Sequence, residues 1–107
     1  KTLLATASFD TTVRIWDIEA DTCLQCLSKH SFPVYSIAFS PNGHFIASGS
    51  YDQQLFVWRV DDGKLVRTFK GKGGIFEVGW NAEGDKIAAC YSNHTACVID
   101  FRSSKSS

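Results

Sequence analysis

The chain repeats itself with a period of about 42 residues, and this repeat limits the available folds more than any other feature. The segment ASFDTTVRIWD (7–17) returns as GSYDQQLFVWR (49–59), which shifts Asp10 to Asp52 and Trp16 to Trp58. A third copy follows 41 residues later, where IASGSYDQQLFVW (46–58) becomes IAACYSNHTACVI (87–99). A period of roughly 40–45 residues is typical of four-stranded propeller blades.

Within each repeat, short runs of β-branched and aromatic residues alternate with turn residues, and this pattern predicts an all-β domain. Turns at 41–43, 61–63 and 83–85 separate the runs, and no stretch of ten or more residues shows the 3.6-residue period of a helix. The predicted strands are Leu3–Ser8, Val13–Ile18, Cys23–Leu27, Val34–Phe39, Phe45–Gly49, Leu55–Val60, Leu65–Phe69, Ile75–Trp80, Lys86–Cys90 and Ala96–Phe101.

Two phrases, SxDxxVxxWD (8–17) and SPxGxxxASGSxD (40–52), resemble the WD-repeat β-propeller family, and the resemblance covers essentially the whole chain. In that family the antiparallel strands a to d of each blade run outward from a central channel. The resemblance therefore implies a partial blade over 1–29 (strands b, c and d), a complete blade over 30–70, a last blade over 71–102 without its outer strand, and a disordered tail over 103–107. A propeller needs about 4–8 blades. Because the chain also begins at Lys1 and contains no Met, we expect a partial β-propeller, a fragment of a larger closed ring.

The resemblance also implies what the recurring Asp and Trp do. In the family, a His before strand a, a Ser or Thr on strand b, an Asp in the b–c turn and a Trp on strand c form a buried hydrogen-bond relay. The donors fit, because an indole N–H can only donate, a hydroxyl both accepts and donates, and a neutral imidazole has one N–H for the carboxylate. The matching residues are His30, Ser48, Asp52 and Trp58 in the middle blade and Thr6, Asp10 and Trp16 in the first.

The last blade departs from this pattern at all four relay positions. The residues there are Gly71, Ala89, Asn93 and Ile99. Asn93 is expected to cap its own turn. Apolar packing is expected to hold this blade together, through Ile75, Val78, Trp80, Ile87, Val98 and Ile99.

A Ser, a His and an Asp in one place also raise the question of a hydrolase. A nucleophilic Ser needs an exposed oxygen, a base and an oxyanion hole, whereas the relay buries Ser48 and uses its oxygen as an acceptor. The G-x-S-x-G elbow of many hydrolases is absent from the sequence. We therefore predict a structural relay and no catalytic residue.

The four cysteines raise the question of a metal or redox site. Cys23 and Cys26 have C-x-x-C spacing, but alternation along a strand predicts that they point to opposite faces and do not chelate one ion. We expect reduced, buried cysteines, with no metal and no cofactor.

The charge balance argues against sequence-specific nucleic-acid binding and against membranes. The formal net charge is zero, and no apolar run approaches the roughly 20 residues that cross a bilayer. A local set of basic residues lies along and just after the outermost strand of the middle blade. Its charges are expected to prevent the exposed sheet edge from pairing with another strand. A phosphate-binding patch is the less favoured alternative for this set, which comprises Lys64, Arg67, Lys70 and Lys72.

Large aromatic side chains gather in the loops that join strand d to a and strand b to c, where partners of such propellers commonly dock. Large exposed aromatics are candidates for binding hot spots. Packing against a neighbouring blade is the alternative for Phe32, Tyr35 and Phe76. The candidate partner-binding face comprises Phe9, Tyr51, Phe32, Pro33, Tyr35, Gly74 and Phe76.

A narrower resemblance rests on GGIFEVGWNAEGDK (73–86), with KHSFPVYSIAFSPNG (29–43) before it and VIDFR (98–102) after it. These segments are similar to the C-terminal blades of the transducin β-like, F-box-like/WD-repeat corepressor subunits. The resemblance implies a non-enzymatic scaffold in a nuclear complex that contains histone deacetylase, with the cytoplasm as a second location. The implied partners are corepressor subunits, histone tails and the remaining blades of the parent chain. The alternative is a substrate-receptor arm of a ubiquitin ligase complex.

Overall fold

The structure is a computed structural model that describes residues 3–101, and every regular element in that range is a β-strand. This confirms the predicted all-β fold, and each strand end differs from the predicted one by at most one residue. In the described range no helix is long and apolar enough to cross a membrane. The strands are β1 Leu3–Ala7, β2 Val13–Asp17, β3 Thr22–Leu27, β4 Val34–Phe39, β5 Phe45–Ser50, β6 Gln54–Arg59, β7 Leu65–Lys70, β8 Ile75–Trp80, β9 Lys86–Tyr91 and β10 Ala96–Asp100.

The strands form three antiparallel sheets, one for each copy of the repeat. The first sheet has the order β1-β2-β3, the middle sheet β4-β5-β6-β7 and the third sheet β8-β9-β10. The sheets fall within the predicted blades, whose limits at residues 30 and 71 remain predictions. The proposed tail at 103–107 lies outside the described residues.

Two apolar layers fill the spaces between consecutive sheets. Alternation along each strand sends one set of side chains to each face, so the middle sheet contributes Ile46 and Trp58 to the first layer and Ala47 and Val57 to the second. Val98 was expected to pack in the third sheet, but it is 67% exposed. It lies on the face of β10 opposite Cys97 and Ile99, which pack against the second layer.

The turn between the second and third strands of the repeat has the same backbone in all three copies. In the middle sheet Asp52 Oδ1 accepts the N–H of Gln54 at 2.9 Å, while Gln53 takes a left-handed φ of 72°. Thr11 and His94 take the same conformation at φ 77° and 67°. The carboxylate or amide closes the turn locally, and this bond stabilises a φ that side chains other than Gly adopt only at a cost.

Replacing Gln53 with Gly is therefore expected to stabilise the chain by about 0.5–1 kcal/mol, because Gly adopts this φ without strain. Urea unfolding of the wild-type and variant chains measures the difference. Gln54→Gly is the matched control, since Gln54 is an adjacent strand residue, and it is expected to lose about 0.5–1 kcal/mol. Equal losses in both variants would contradict the assigned strain.

Candidate functional site

The middle sheet holds a continuous chain of side-chain hydrogen bonds, which we call the brace: His30, Ser48, Asp52 and Trp58. Trp58 Nε1 donates to Ser48 Oγ at 2.9 Å, and Ser48 Oγ lies 2.8 Å from His30 Nε2. His30 Nδ1 lies 3.0 Å from Asp52 Oδ2. The side chains of His30 and Asp52 are only 1% and 3% exposed. The brace therefore joins β5, β6, the turn between them and the segment before β4 in one buried network.

The donor inventory fixes the direction of these bonds. Ser48 accepts from Trp58, so its own O–H is free to donate to His30 Nε2, which leaves Nδ1–H to donate to Asp52. The remaining capacity of Asp52 is used by the backbone N–H groups of Ser31 at 3.0 Å and Gln54 at 2.9 Å. Each polar atom of the network has a partner, as burial requires.

A substrate cannot reach the hydroxyl oxygen of Ser48 in this arrangement. Ser48 is fully buried, and its oxygen accepts a hydrogen bond from Trp58. A hydrolase would need that oxygen exposed beside an oxyanion hole. The geometry therefore favours a structural role over a catalytic role for the repeated Asp and Trp.

The surroundings of the brace favour neutral His30 and ionised Asp52. Burial lowers the pKa of His30 and outweighs the opposing effect of Asp52. Burial alone would raise the pKa of Asp52, but the hydrogen bonds from Ser31, Gln54 and His30 hold it below its usual value. Protonating His30 would also turn Nε2 into a donor towards Ser48, whose hydroxyl proton would then lose its acceptor.

The chain is expected to lose stability as the pH falls from 7.5 to 5.5. Because the pKa of His30 is lower in the folded state than its ordinary 6.5, the unfolded state binds more protons below about pH 7. Asp52 has a depressed pKa too, and its contribution is lost only at more acidic pH. Urea midpoints at pH 7.5, 6.5 and 5.5 measure the slope.

His30→Gln removes the titrating group and is expected to flatten this slope, although the variant is less stable overall. His94→Gln replaces a histidine in an exposed turn and is the matched control. This variant is expected to show the same dependence of stability on pH as the wild type. An unchanged slope in His30→Gln would show that another group is responsible.

The first sheet retains part of the relay in a more open setting. Trp16 Nε1 donates to Thr6 Oγ1 at 3.0 Å. Asp10 accepts the N–H of Thr12 at 3.1 Å and lies 3.6 Å from Arg14, with a side chain that is 55% exposed. The structure thus brings Thr6 and Trp16 together, but among the described residues no His meets Asp10.

The third sheet has no relay, as its sequence predicts. Tyr91 packs where the brace has its imidazole, since a Cβ built on Gly71 would lie 2.6 Å from the Tyr91 ring. Asn93 still closes the turn, because its Oδ1 accepts the N–H of Thr95 at 3.2 Å. The turn does not require the brace, because the third sheet keeps the turn although it has no brace.

One structural residue, Ser50, was not assigned from the sequence. Its Oγ lies 3.0 and 2.9 Å from the carbonyl oxygens of Phe32 and Pro33, and it accepts the N–H of Asp52 at 3.1 Å. Ser50 is fully buried and ties the loop before β4 to the turn after β5. The signal was present in the repeat, where Ser8 and Ser50 each precede the turn Asp by two residues.

Five candidate rings form one continuous exposed patch, which we call the aromatic surface: Phe9, Phe32, Tyr35, Tyr51 and Phe76. The centroid of the Tyr35 ring lies 6.1, 6.3 and 5.1 Å from those of Phe9, Tyr51 and Phe76. The Tyr51 ring is 6.2 Å from that of Phe32. The residues are 41–75% exposed. The rings therefore pack across sheets and still face solvent, and the binding of a partner to them stays a prediction.

Pro33 and Gly74 lie beneath this surface rather than on it. Pro33 is half-buried, and its carbonyl oxygen accepts the N–H of Tyr51 at 3.3 Å. Gly74 is buried, and a Cβ there would lie 2.6 Å from the Tyr51 ring. They position the rings and offer little surface for a partner to contact.

The prediction for the cysteines was wrong in two respects. Cys23, Cys26 and Cys90 are exposed rather than buried. In addition, Cys23 pairs with Trp16 and Cys26 with Arg14, because a bulge at Leu24 shifts the register. The two thiols therefore lie on the same face of β3, and simple alternation fails. Within residues 3–101, no three His, Cys, Asp or Glu side chains form a group that could hold a metal ion.

Comparison with known proteins identifies the repeat. The family model described as "WD domain, G-beta repeat" matches residues 1–17, 21–59 and 63–100. WD40 repeat-containing protein HOS15 of Arabidopsis thaliana is 56% identical over 92% of this chain, and F-box-like/WD repeat-containing protein TBL1X of Mus musculus is 53% identical over 94%. Periodic tryptophan protein 2 of Arabidopsis thaliana is 34% identical over 89%.

The chain spans only 16% of the length of HOS15 and 19% of that of TBL1X. The similarity to F-box-like/WD repeat proteins confirms the narrower resemblance as well as the general one. The repeat period, the three antiparallel sheets and the matched family model agree: this chain belongs to the WD-repeat β-propeller family.

Proposed function

We propose that the chain is part of a non-enzymatic protein-interaction scaffold in a nuclear corepressor complex that contains histone deacetylase. In this proposal the aromatic surface contacts corepressor or histone-tail segments. The similarity to the F-box-like/WD repeat proteins supports the class of complex, through the resemblance to corepressor subunits. The same similarity supports a nuclear location in this proposal, with the cytoplasm as a second site.

The aromatic surface is the observation that carries the proposal. Its rings meet edge to face, with Tyr35 and Phe76 at an interplanar angle of 67° and Tyr35 and Tyr51 at 90°. Such packing leaves little room between rings for a small molecule but presents a firm amphipathic area. Tyr and Phe are enriched at protein interfaces for this reason. The surface therefore suits a polypeptide segment.

The test is capture of corepressor and deacetylase subunits by the full-length protein that carries this chain. The double variant Tyr35→Ala/Tyr51→Ala is expected to lose at least about tenfold in affinity, or ~1.4 kcal/mol. Val66→Ser is the matched control, because Val66 is a 38% exposed apolar residue on the outer strand β7. Undiminished capture by the double variant, or failure of the wild type to capture either partner, would refute the proposal.

A second candidate is the substrate-receptor arm of a ubiquitin ligase complex. The observation that favours it is the F-box-like designation of the relatives, since such segments are associated with ubiquitin machinery. The same double variant separates the two functions. Loss of substrate turnover with intact corepressor capture would favour the ligase arm.

A further inference from the structure

A cavity of about 280 Å³ lies between the end of β7 and the β9–β10 turn. Its lining includes Lys70, Lys72, Tyr91, Asn93 and Thr95, and it contains no carboxylate. The basic residues singled out in the sequence therefore have different surroundings in the structure. Lys70 and Lys72 line the cavity, whereas the Arg67 guanidinium lies 6.0 and 5.8 Å from the ring centroids of Phe69 and Phe101.

The cavity borders the third sheet, in which all four relay positions are substituted. Lys70 and Lys72 flank Gly71, which takes the position of His30, and Asn93 takes the position of Asp52. In the middle sheet an imidazole and a carboxylate fill this region and satisfy each other. In the third sheet the imidazole is missing and the carboxylate is replaced by an amide. Together these substitutions remove a negative charge from the region and leave hydrogen-bond donors of Lys70, Lys72 and Asn93 there.

The donors have no acceptor within the described chain. Neither Lys70 nor Lys72 forms an ion pair with any residue of 3–101. Asn93 Oδ1 is occupied by the N–H and O–H of Thr95, which orients the amide and leaves its NH₂ group available. The Tyr91 hydroxyl lies 2.7 Å from Cys97 Sγ. It is protonated at neutral pH, since the ordinary pKa of tyrosine is about 10 and burial raises that of Tyr91 to about 12.

We propose that this cavity binds a phosphoryl group carried on a Ser or Thr of a partner polypeptide. Two ammonium groups and an amide NH₂ match the charge of about −2 and the three acceptor oxygens of a phosphate monoester. A protein-borne phosphate is favoured over a nucleic acid because the chain has no net charge to hold a polyanionic backbone. This site is additional to the aromatic surface and does not depend on the proposed scaffold function.

The position of the cavity also suits a polypeptide. The loop 71–74 separates it from the aromatic surface, with Tyr91 against Gly71 at one end and Tyr51 against Gly74 at the other. A segment with its phosphate in the cavity has exposed rings immediately across this loop for its next side chains. A free phosphate or a lipid headgroup gains nothing from those rings.

The test is a chemical-shift titration of the full chain with three short probes: the tripeptides Gly-pSer-Gly, Gly-Ser-Gly and Gly-Glu-Gly. The phosphorylated probe is expected to shift the amide signals of 70–73 and 91–97 in a saturable way. The glutamate probe is expected to bind about tenfold more weakly because it carries half the charge, and Gly-Ser-Gly is expected to leave the signals unchanged. Inorganic phosphate and vesicles containing a phosphoinositide are further arms, and tighter binding of either than of the phosphopeptide would overturn the assignment to a polypeptide.

Asn93→Asp is the decisive variant. Asp10 and Asp52 form the same turn in the other sheets, so the fold is retained, but a carboxylate enters the cavity. Binding is expected to fall about tenfold or more, and likewise in Lys70→Glu/Lys72→Glu. Lys64→Glu, outside the cavity, and Lys70→Arg/Lys72→Arg are expected to bind normally. Equal shifts in Asn93→Asp and wild type, or no shift with the phosphorylated probe, would refute the site.

Discussion

Replacing Asp52 with Ala is expected to lower the free energy of unfolding by about 3–4 kcal/mol. The carboxylate accepts the N–H groups of His30, Ser31 and Gln54, and its removal leaves all three without this acceptor, with the imidazole of His30 in a buried setting. The turn after β5 and the segment before β4 lose their shared anchor together. Urea unfolding of the wild-type and variant chains measures the loss.

Asp10→Ala is the matched control for this prediction. Asp10 holds the same position in the repeat, but its side chain is 55% exposed and solvent can replace its bonds. We expect a much smaller loss than for Asp52→Ala. Similar losses in the two variants would mean that the turn, and not the buried brace, determines the effect.

Replacing Gly49 with Val is expected to destabilise the chain by about 3 kcal/mol, and replacement with Ala by about 2 kcal/mol. A Cβ built on Gly49 overlaps Ile75 Cγ2 and lies 3.1 Å from Val78 Cγ1. Both neighbours are buried side chains of the third sheet, which have little room to move. The middle and third sheets would have to separate locally, with loss of packing in the layer between them.

Two comparisons make this prediction specific. Gly79→Ala, also within a strand, places a Cβ with nothing within 4 Å, and it is expected to be neutral or slightly stabilising. Adding Ile75→Ala to Gly49→Ala creates the missing space, so the double variant is expected to be more stable than the sum of the single effects. Strict additivity in the urea-unfolding cycle would exclude the proposed clash.

The brace shows how far the sequence alone reaches. Each of its members has a fixed donor and acceptor capacity, and the first two copies of the repeat place a Ser or Thr, an Asp and a Trp at constant spacing. The expected order of bonds from Trp58 through Ser48 and His30 to Asp52 is the order found in the structure. Ser50 was missed because a Ser bonded to backbone carbonyls has no distinctive pattern beyond its repetition.

The faces of β3 show where sequence reasoning fails. Alternation predicted that the side chains of Cys23 and Cys26 point to opposite faces of the sheet. The bulge at Leu24 instead pairs Cys23 with Trp16 and Cys26 with Arg14, and these two partners lie on the same face. A bulge depends on how one strand pairs with its neighbour, and the sequence of the strand itself carries no clear sign of it. Exposure of the thiols likewise depends on which sheet covers them.

The sequence by itself determined the repeat, the strands and the turns, because these follow from residue spacing and side-chain alternation along one stretch of chain, and the family resemblance of its motifs implied the partners within the brace. Only the tertiary structure decided that Phe9, Tyr35 and Phe76 meet from three sheets, that Gly49 must lack a side chain, and that Lys70 and Asn93 line one cavity. These features depend on how neighbouring sheets are placed against each other, and that placement results from the combined packing of many side chains.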